Sequence, residues 1–304
     1  MVLYSSPRFA EHTTPPGHPE GPERAGVFDA TAEAFSQGGG TVRPPRPATV
    51  EELTRIHSAD YLDTLLKMAG RAAMLDPDTF TSPESHGIAL LGAGAAVDAA
   101  REAYDAGIAT FALVRPPGHH AEADRAMGFC LLNNIAVAAA ALRAGGVERV
   151  AIVDIDVHHG NGTQNSFYDD PTVLYISSHQ FPYYPGTGAA EEMGVGAGRG
   201  ATLNLPLAAG ATDDVYLRAY ESRVIPAIDA FKPDILLVSA GYDAHARDPL
   251  AGMRLTVSGY SRLAGLLKDA AVRHCHGRTA WVTEGGYHLD ALRECLDATI
   301  SVLR

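Results

Sequence analysis

Cysteine is scarce, with three residues in 304, Cys130, Cys275 and Cys295, and no paired spacing among them. An odd and dispersed set builds no disulfide frame and points to a reducing compartment. No apolar run reaches the ~18–20 residues that a membrane-spanning helix needs, so no span is expected. The N-terminus has no charged segment followed by an apolar one, so no signal peptide is expected and the expected location is cytoplasmic. Positive charge is in the minority: 24 Lys and Arg against 36 Asp and Glu, a net charge of −12. That argues against a nucleic-acid footprint, which needs a basic face, and is mildly favourable to a cationic substrate. Also missing is any long Pro/Ser/Gly tract or charge block that would serve as a linker. With 46% hydrophobic residues the chain is expected to form one domain spanning 1–304.

What is present is organised around Val150-Ala151-Ile152-Val153-Asp154-Ile155-Asp156-Val157-His158-His159-Gly160-Asn161-Gly162. The apolar run at its start suits a strand covered on both faces, as in a parallel sheet. Alternation along an extended strand then points Asp154, Asp156 and His158 to one side. Two carboxylates and an imidazole on one side of a strand end are costly to bury unless a cation neutralises them. Standing alone, the same residues also fit an acidic loop cap with surface histidines.

Other stretches decide between these readings. Residues 2–4 form a candidate first strand, and residues 11–24, rich in Pro, Gly and His, read as a loop. Thr49 with Glu52 makes a capping box opening a helix over 50–57, and Ser58 caps the next helix. Residues 83–106 read as a long helix whose Gly92-Ala93-Gly94 serves close packing, since no strand precedes it as a dinucleotide fingerprint would require. A strand over 109–114 runs into the stiff turn Arg115-Pro116-Pro117-Gly118-His119-His120, and a buried helix follows over 135–144. Further strands are expected over 172–177, 234–240 and 279–283, ending respectively near Ser178-His179, at Gly241-Tyr242-Asp243 and at Glu284-Gly285-Gly286-Tyr287. Thr212 and Ser258 are expected to cap helices, and Pro226 to kink one. Strands each followed by a helix give a doubly wound parallel α/β sheet, with the polar residues at strand C-termini where such sheets place their chemistry.

Asp156, His158 and Asp243 come from two strand ends and offer two oxygens and one nitrogen, with no thiolate. Three ligands with a position left open for water is the pattern of a catalytic zinc site. A metal there lowers the pKa of its water toward ~7 and polarises a carbonyl oxygen. His119 or His120 is placed to take the water's proton and pass it to a leaving nitrogen. Tyr287, after two glycines, is a candidate donor to a developing oxyanion. Water, metal, base and oxyanion donor make an amide hydrolase.

The ordered motifs from Arg115 to His120, Gly128-Phe129-Cys130, Asp154 to Gly162, Pro185 to Gly188, Ser239 to Asp243 and Gly285 to Tyr287 resemble the histone deacetylase superfamily over nearly the whole chain. Gly17-His18-Pro19-Glu20 belongs to the same resemblance, and Asn161 with the glycine-rich loop at 194–200 is similar to the class II branch and its bacterial relatives. The resemblance implies an arginase/deacetylase fold and one Zn²⁺ held by Asp156, His158 and Asp243. It implies that His119 and His120 are the catalytic pair, with Asn161 behind His120 where class I members carry Asp. Asp154 would bond His119 and, with Ser177 and backbone carbonyls, help hold a monovalent cation, K⁺ or Na⁺. Phe129 and Tyr184 would wall a tunnel for an acylated amine, with Gly128, Leu250 and Glu20 among the substrate-binding residues. Tyr287 matches the tyrosine of active members. In the sister arginases further carboxylates hold a second metal; the resemblance puts Gly160 and Gly241 at those positions, where they cannot ligate, which disfavours guanidine hydrolysis.

The expected function is therefore a zinc-dependent deacetylase acting on an acylated amine such as acetyl-lysine. An alternative is an acetylpolyamine or other small N-acyl or ester hydrolase. Leu250, just after Asp248-Pro249, replaces the acidic gatekeeper that polyamine-selective relatives often carry. An alternative of another class is an inactive acyl-lysine binding module on the same fold. No nucleic-acid or membrane partner is expected, and a homo-oligomer is left open.

Overall fold

The computed structural model describes residues 1–304. The chain opens with strand β1 (Val2–Tyr4), helix α1 (Glu23–Gln37), strand β2 (Thr41–Arg43) and helices α2 (Val50–Leu53) and α3 (Ala59–Lys67). A small hairpin, β3 (Ala73–Asp76) and β4 (Thr79–Thr81), precedes the long helix α4 (Ser85–Ala106), strand β5 (Ala109–Ala112) and helix α5 (Asn134–Ala144). Next come β6 (Val150–Asp154), α6 (Asn161–Ser166), β7 (Val173–Gln180) and β8 (Thr202–Leu207). Helices α7 (Asp213–Ala219) and α8 (Ile225–Phe231), strand β9 (Ile235–Ala240), helix α9 (Val257–Cys275), strand β10 (Thr279–Thr283) and helix α10 (Leu289–Leu303) complete it.

Eight strands form one sheet in the order β2-β1-β5-β10-β9-β6-β7-β8, parallel throughout. The alternation that marks a doubly covered strand is visible in β6. Val150 and Ile152 enter one apolar cluster, and Ala151 and Val153 the other. The same split recurs in β9, with Ile235 and Leu237 on one side and Leu236 and Val238 on the other. The clusters hold 40 and 39 buried residues, so each face is covered about equally, one by α4 and α5 and the other by α1, α9 and α10. This is the expected α/β architecture with helices on both faces.

Several local expectations need correction. Strand β2 has mostly exposed residues, and β8 contains Pro206. Both are edge strands, where short length and proline leave little alternation to read. Helix α2 ends at Leu53, well before residue 57, although its Thr49–Glu52 capping box forms as expected. Helix α9 is capped by Thr256, whose hydroxyl accepts from Gly259 N, and not by Ser258. Thr212 stands at the N-cap of α7 without a side-chain cap bond. Pro226 lies in the first turn of α8, and the wider π-helical turn at Tyr220–Val224 ahead of it takes up the disturbance.

The sheet order sets β5, β10, β9 and β6 side by side. Their C-terminal ends therefore deliver the turn at residues 115–120, Glu284, Asp243 and Asp156 to one place.

Candidate active site

Strand β6 ends at Asp154, and the next residues are not extended. Asp154 Oδ1 accepts from Asp156 N at 3.1 Å, and Asp156 Oδ1 accepts from His158 N at 2.9 Å. Two successive side-chain-closed turns, rather than strand alternation, thus aim these groups, and they send them to different partners. Asp154 Oδ2 pairs with His119 Nδ1 at 3.0 Å and accepts from the Tyr175 hydroxyl at 3.1 Å. Asp156 and His158 instead meet Asp243 from the end of β9, with one ligand-type atom of each within 4.8 Å of the others.

The donor set of that triad fits a divalent cation. His158 Nδ1 lies 3.1 Å from Asp156 Oδ1 and 3.2 Å from Asp243 Oδ2. All three residues are buried. Asp156 Oδ2 is held by Gly285 N at 2.8 Å and Asp243 Oδ1 by Val157 N at 2.8 Å, whereas Asp243 Oδ2 is buried with no contact of its kind beyond the His158 ring. Burial disfavours charge on His158, yet the two carboxylates push it up to about 10. A dication between the three groups would relieve the same excess of negative charge. The backbone leaves room around them: a Cβ at Gly241 would stand 2.1 Å from Asp156 Oδ2, and one at Gly285 the same distance from Asp243 Oδ2. Gly160 is equally confined, 2.4 Å from Asp154 Oδ2. Neither Gly160 nor Gly241 can carry a further carboxylate.

The two histidines of the rigid turn have ring centroids 4.0 Å apart but different surroundings. Burial opposes charge on His119, but Asp154 and Asp156 push it up to about 10. Burial and the neighbouring His119 and His158 hold His120 well below the ordinary imidazole value. The surroundings of the two adjacent imidazoles thereby favour charge on His119 and disfavour it on His120. His120 Nδ1 meets Asn161 Oδ1 at 2.8 Å, so Asn161 does sit behind it. The turn itself is held by Glu284, whose Oε2 accepts from Gly118 N at 2.6 Å and His119 N at 3.1 Å while Ser239 Oγ donates to Oε1 at 2.9 Å. Burial pushes Glu284 up to about 7. Sequence reading did not single out Glu284; its place directly after strand β10 was the available signal.

A cavity of 210 Å³ opens onto this cluster, lined by Asp78, His120, Gly128, Phe129, His158, Tyr183, Tyr184, Leu250 and Tyr287. A Cβ at Gly128 would lie 2.5 Å from the His120 ring, and Gly128 also has φ +56°, so glycine is required there twice over. Phe129 faces Tyr287 edge-on at 5.8 Å, and Tyr184 faces His120 edge-on at 5.1 Å. Tyr183 stacks on His158 at 5.6 Å and donates to Leu250 O. Asp78, from the β3–β4 hairpin, is the one carboxylate among the lining residues, and neither it nor Tyr183 was expected there. Cys130 is buried with its thiol pushed up by burial, which makes it a packing residue. An apolar hollow of 290 Å³ beside α2, α3 and α4 shares no lining residue with this cavity.

Glu20 is a correction. It does not face the cavity: it is fully buried between Arg24 (2.9 Å) and Arg115 (2.5 Å), with His12 at 3.4 Å. Burial disfavours its charge, but Arg115 and His12 hold it below the usual carboxylate range. The loop around Gly17-His18-Pro19 brings it there to lock two strand ends, because Arg24 also donates to Gly286 O and Glu284 O, and Arg115 to Phe9 O. Glu20→Ala would leave two buried guanidinium groups uncompensated and is expected to destabilise the fold by ~3–5 kcal/mol in chemical denaturation. A raised KM with unchanged stability would return Glu20 to a substrate-binding role. Asp154 and Ser177 are cross-strand neighbours in register, and Ser177 Oγ is engaged by His179 Nδ1 at 2.9 Å.

A family profile described as the histone deacetylase domain matches residues 18–303. The chain belongs to the histone deacetylase family. Among its members, the histone deacetylase-like amidohydrolase of Pseudomonas aeruginosa is 46% identical over 254 residues, covering 81% of this chain and 66% of that protein. An uncharacterized protein of Synechocystis is 42% identical over 309 residues, 99% of this chain and 98% of its own length. This histone deacetylase family chain spans 59% of the longer chloroplastic histone deacetylase 10 of Oryza sativa, at 44% identity over 261 residues. The crystal structure of the HDA15 HD domain superposes with a TM-score of 0.94 at 38% identity, covering 99% of this chain and 88% of that one. Family membership makes the protein a deacetylase-type hydrolase, and no helix in it is long and apolar enough to cross a membrane.

Proposed function

We propose that the protein is a zinc-dependent deacylase that hydrolyses an N-acylated primary amine, either the acyl-lysine of a protein or a small acylated amine. The observation that carries this reading is one cavity whose wall includes His158 of the Asp156, His158 and Asp243 donor set together with His120 and Tyr287. A Zn²⁺ held by the three ligands would lower the pKa of a water toward ~7 and polarise the acyl carbonyl.

The remaining steps belong to the chain's own residues. His120, neutral and with Nδ1 committed to Asn161, has Nε2 free to accept the water's proton. His119, held cationic by Asp154, stabilises negative charge developing beside it and orients the pair. Tyr287 donates to the oxyanion, because burial and the Asp243 charge keep its hydroxyl protonated well above the ordinary value. The proton taken by His120 then goes to the departing amine. Phe129 and Tyr184 pack the aliphatic stem of the substrate, and Asp78 at the wall accepts from an N–H group or attracts a second cationic amine. Leu250 at the wall adds no further charge, which supports acyl-lysine over an extended polyamine.

Hydrolysis of a fluorogenic acetyl-lysine peptide, beside acetylputrescine and acetylspermidine, tests the proposal. Turnover is expected to disappear with a chelator and return with added Zn²⁺. Metal-loaded protein that binds the peptide without cleaving it would instead be a binding module, and turnover indifferent to chelator would overturn the metal site.

A further inference from the structure

Asn161 is an incomplete partner for a general base. A carboxamide presents an acceptor on one side and only donors on the other, so by itself it holds an imidazole in either tautomer, depending on which way it is turned. An aspartate in the same place would have no such ambiguity. The structure contains a group that removes it. Asn161 Nδ2 donates to Glu122 Oε1 at 2.5 Å, and more weakly to His120 O at 3.3 Å and Met127 Sδ at 3.4 Å. Glu122 is buried, with 8% of its surface exposed, and is itself fixed by Asn165 Nδ2 at 2.9 Å on Oε1 and 3.1 Å on Oε2, with Arg125 at 3.9 Å. Its backbone is tied down as well: Glu122 N donates to Arg125 O at 3.0 Å, and Glu122 O meets His57 Nδ1 at 2.9 Å.

We infer that Glu122 is a positioning residue that sets the proton location on His120 through Asn161. This rests on the deacylase reading of the same site. An ionised carboxylate only accepts, so it can face only the NH₂ end of Asn161. That turns Asn161 Oδ1 toward His120 Nδ1, and an oxygen acceptor there requires Nδ1 to carry the hydrogen. The lone pair is then on Nε2, the nitrogen not engaged by Asn161. Turning the carboxamide over would set two oxygens against each other at the 2.5 Å Asn161–Glu122 contact and leave Nδ1 as the lone-pair nitrogen. Glu122 thus acts two hydrogen bonds away from the ring it controls, without touching substrate.

The test is a double-mutant cycle on fully metallated protein. Glu122→Ala is expected to lower kcat by about 10- to 100-fold, short of the ~10⁴-fold cost of locking an imidazole in the wrong tautomer. KM should stay within about twofold and metal content should not change, since no metal ligand is touched. Glu122→Gln keeps an acceptor oxygen for Asn161 Nδ2 and should recover most of the loss. The decisive arm is Asn161→Asp. There both carboxyl oxygens accept, so the tautomer no longer needs Glu122, while the two acidic side chains repel. Adding Glu122→Ala to that background should raise kcat, reversing its sign. Loss of the same size in both backgrounds would mean a merely structural role and would overturn the inference. Histidine-labelled ¹⁵N spectra give a readout independent of turnover. His120 should be the Nδ1–H tautomer in the parent and a mixture in Glu122→Ala; an unchanged tautomer overturns the inference. If no acylated amine is hydrolysed by the parent, the deacylase reading fails while the spectra still decide the role of Glu122.

Discussion

Tyr287→Phe is expected to lower kcat by about 10²- to 10³-fold while KM moves little, the loss typical of deleting one preorganised oxyanion donor. The ring should stay where it is. Arg24 lies over it at 5.2 Å, Phe129 meets it edge-on at 5.8 Å, and Tyr287 N donates to Asp248 Oδ2 at 2.7 Å. Asp248 Oδ1 also accepts from Leu250 N at 3.0 Å, so one carboxylate fixes the oxyanion donor and the cavity wall together. Phenylalanine keeps each of these contacts, so the variant removes only the hydroxyl. Bound zinc, measured by elemental analysis, should remain at the parent level. An unchanged kcat would refute the role given to Tyr287; lost zinc would show that the substitution disturbed the ligands instead.

Asp243→Ala should release the metal and abolish turnover with it. The expected loss of affinity exceeds the ~10–100-fold that follows removal of an outer hydrogen-bonding partner, because a ligand itself is lost. Asp243 is the only one of the three proposed ligands supplied by the end of β9, and its Oδ2 has only the His158 ring beside it, at 3.2 Å. Removing it leaves Asp156 and His158 two residues apart on one turn, a pair with little reach around an ion. Dialysed variant should hold almost no zinc, whereas Asp243→Asn, which keeps the shape but halves the carboxylate character, should bind weakly and respond to excess metal. Full zinc occupancy in the dialysed alanine variant would remove Asp243 from the ligand set.

Much of this site was legible in the sequence because its groups are clustered in short motifs. An apolar run ending abruptly in Asp-x-Asp-x-His, and another ending in Gly-Tyr-Asp, place polar atoms at strand ends whatever the register of the sheet. Parallel packing then brings such ends together, as it does for β6 and β9, which are neighbours. The twin histidines after a stiff Pro-Pro-Gly turn were recognisable for the same reason.

What escaped has the opposite character. Glu20, Glu122 and Glu284 each sit in ordinary-looking local sequence, and their roles come from partners far along the chain. Glu284 holds the backbone of Gly118 and His119, 166 and 165 residues away, and Glu20 reaches Arg115, 95 residues away. Asp78 reaches the cavity because a two-stranded hairpin carries it there, and the exposed or proline-containing edge strands β2 and β8 had too little alternation to be seen.

By itself the amino-acid sequence determined the parallel α/β plan and picked out the candidate metal donors, histidine pair and tyrosine, since apolar periodicity and residue type are local properties. Tertiary structure alone decided that Glu122 serves the carboxamide behind His120 and that Glu20 serves two arginines away from the cavity, whereas the family resemblance had already implied Asp154 beside His119 and grouped Asp156 and Asp243 with His158. The physical reason is that a buried charge is fixed by what surrounds it in space, and these surroundings are assembled from segments that no short stretch of sequence contains.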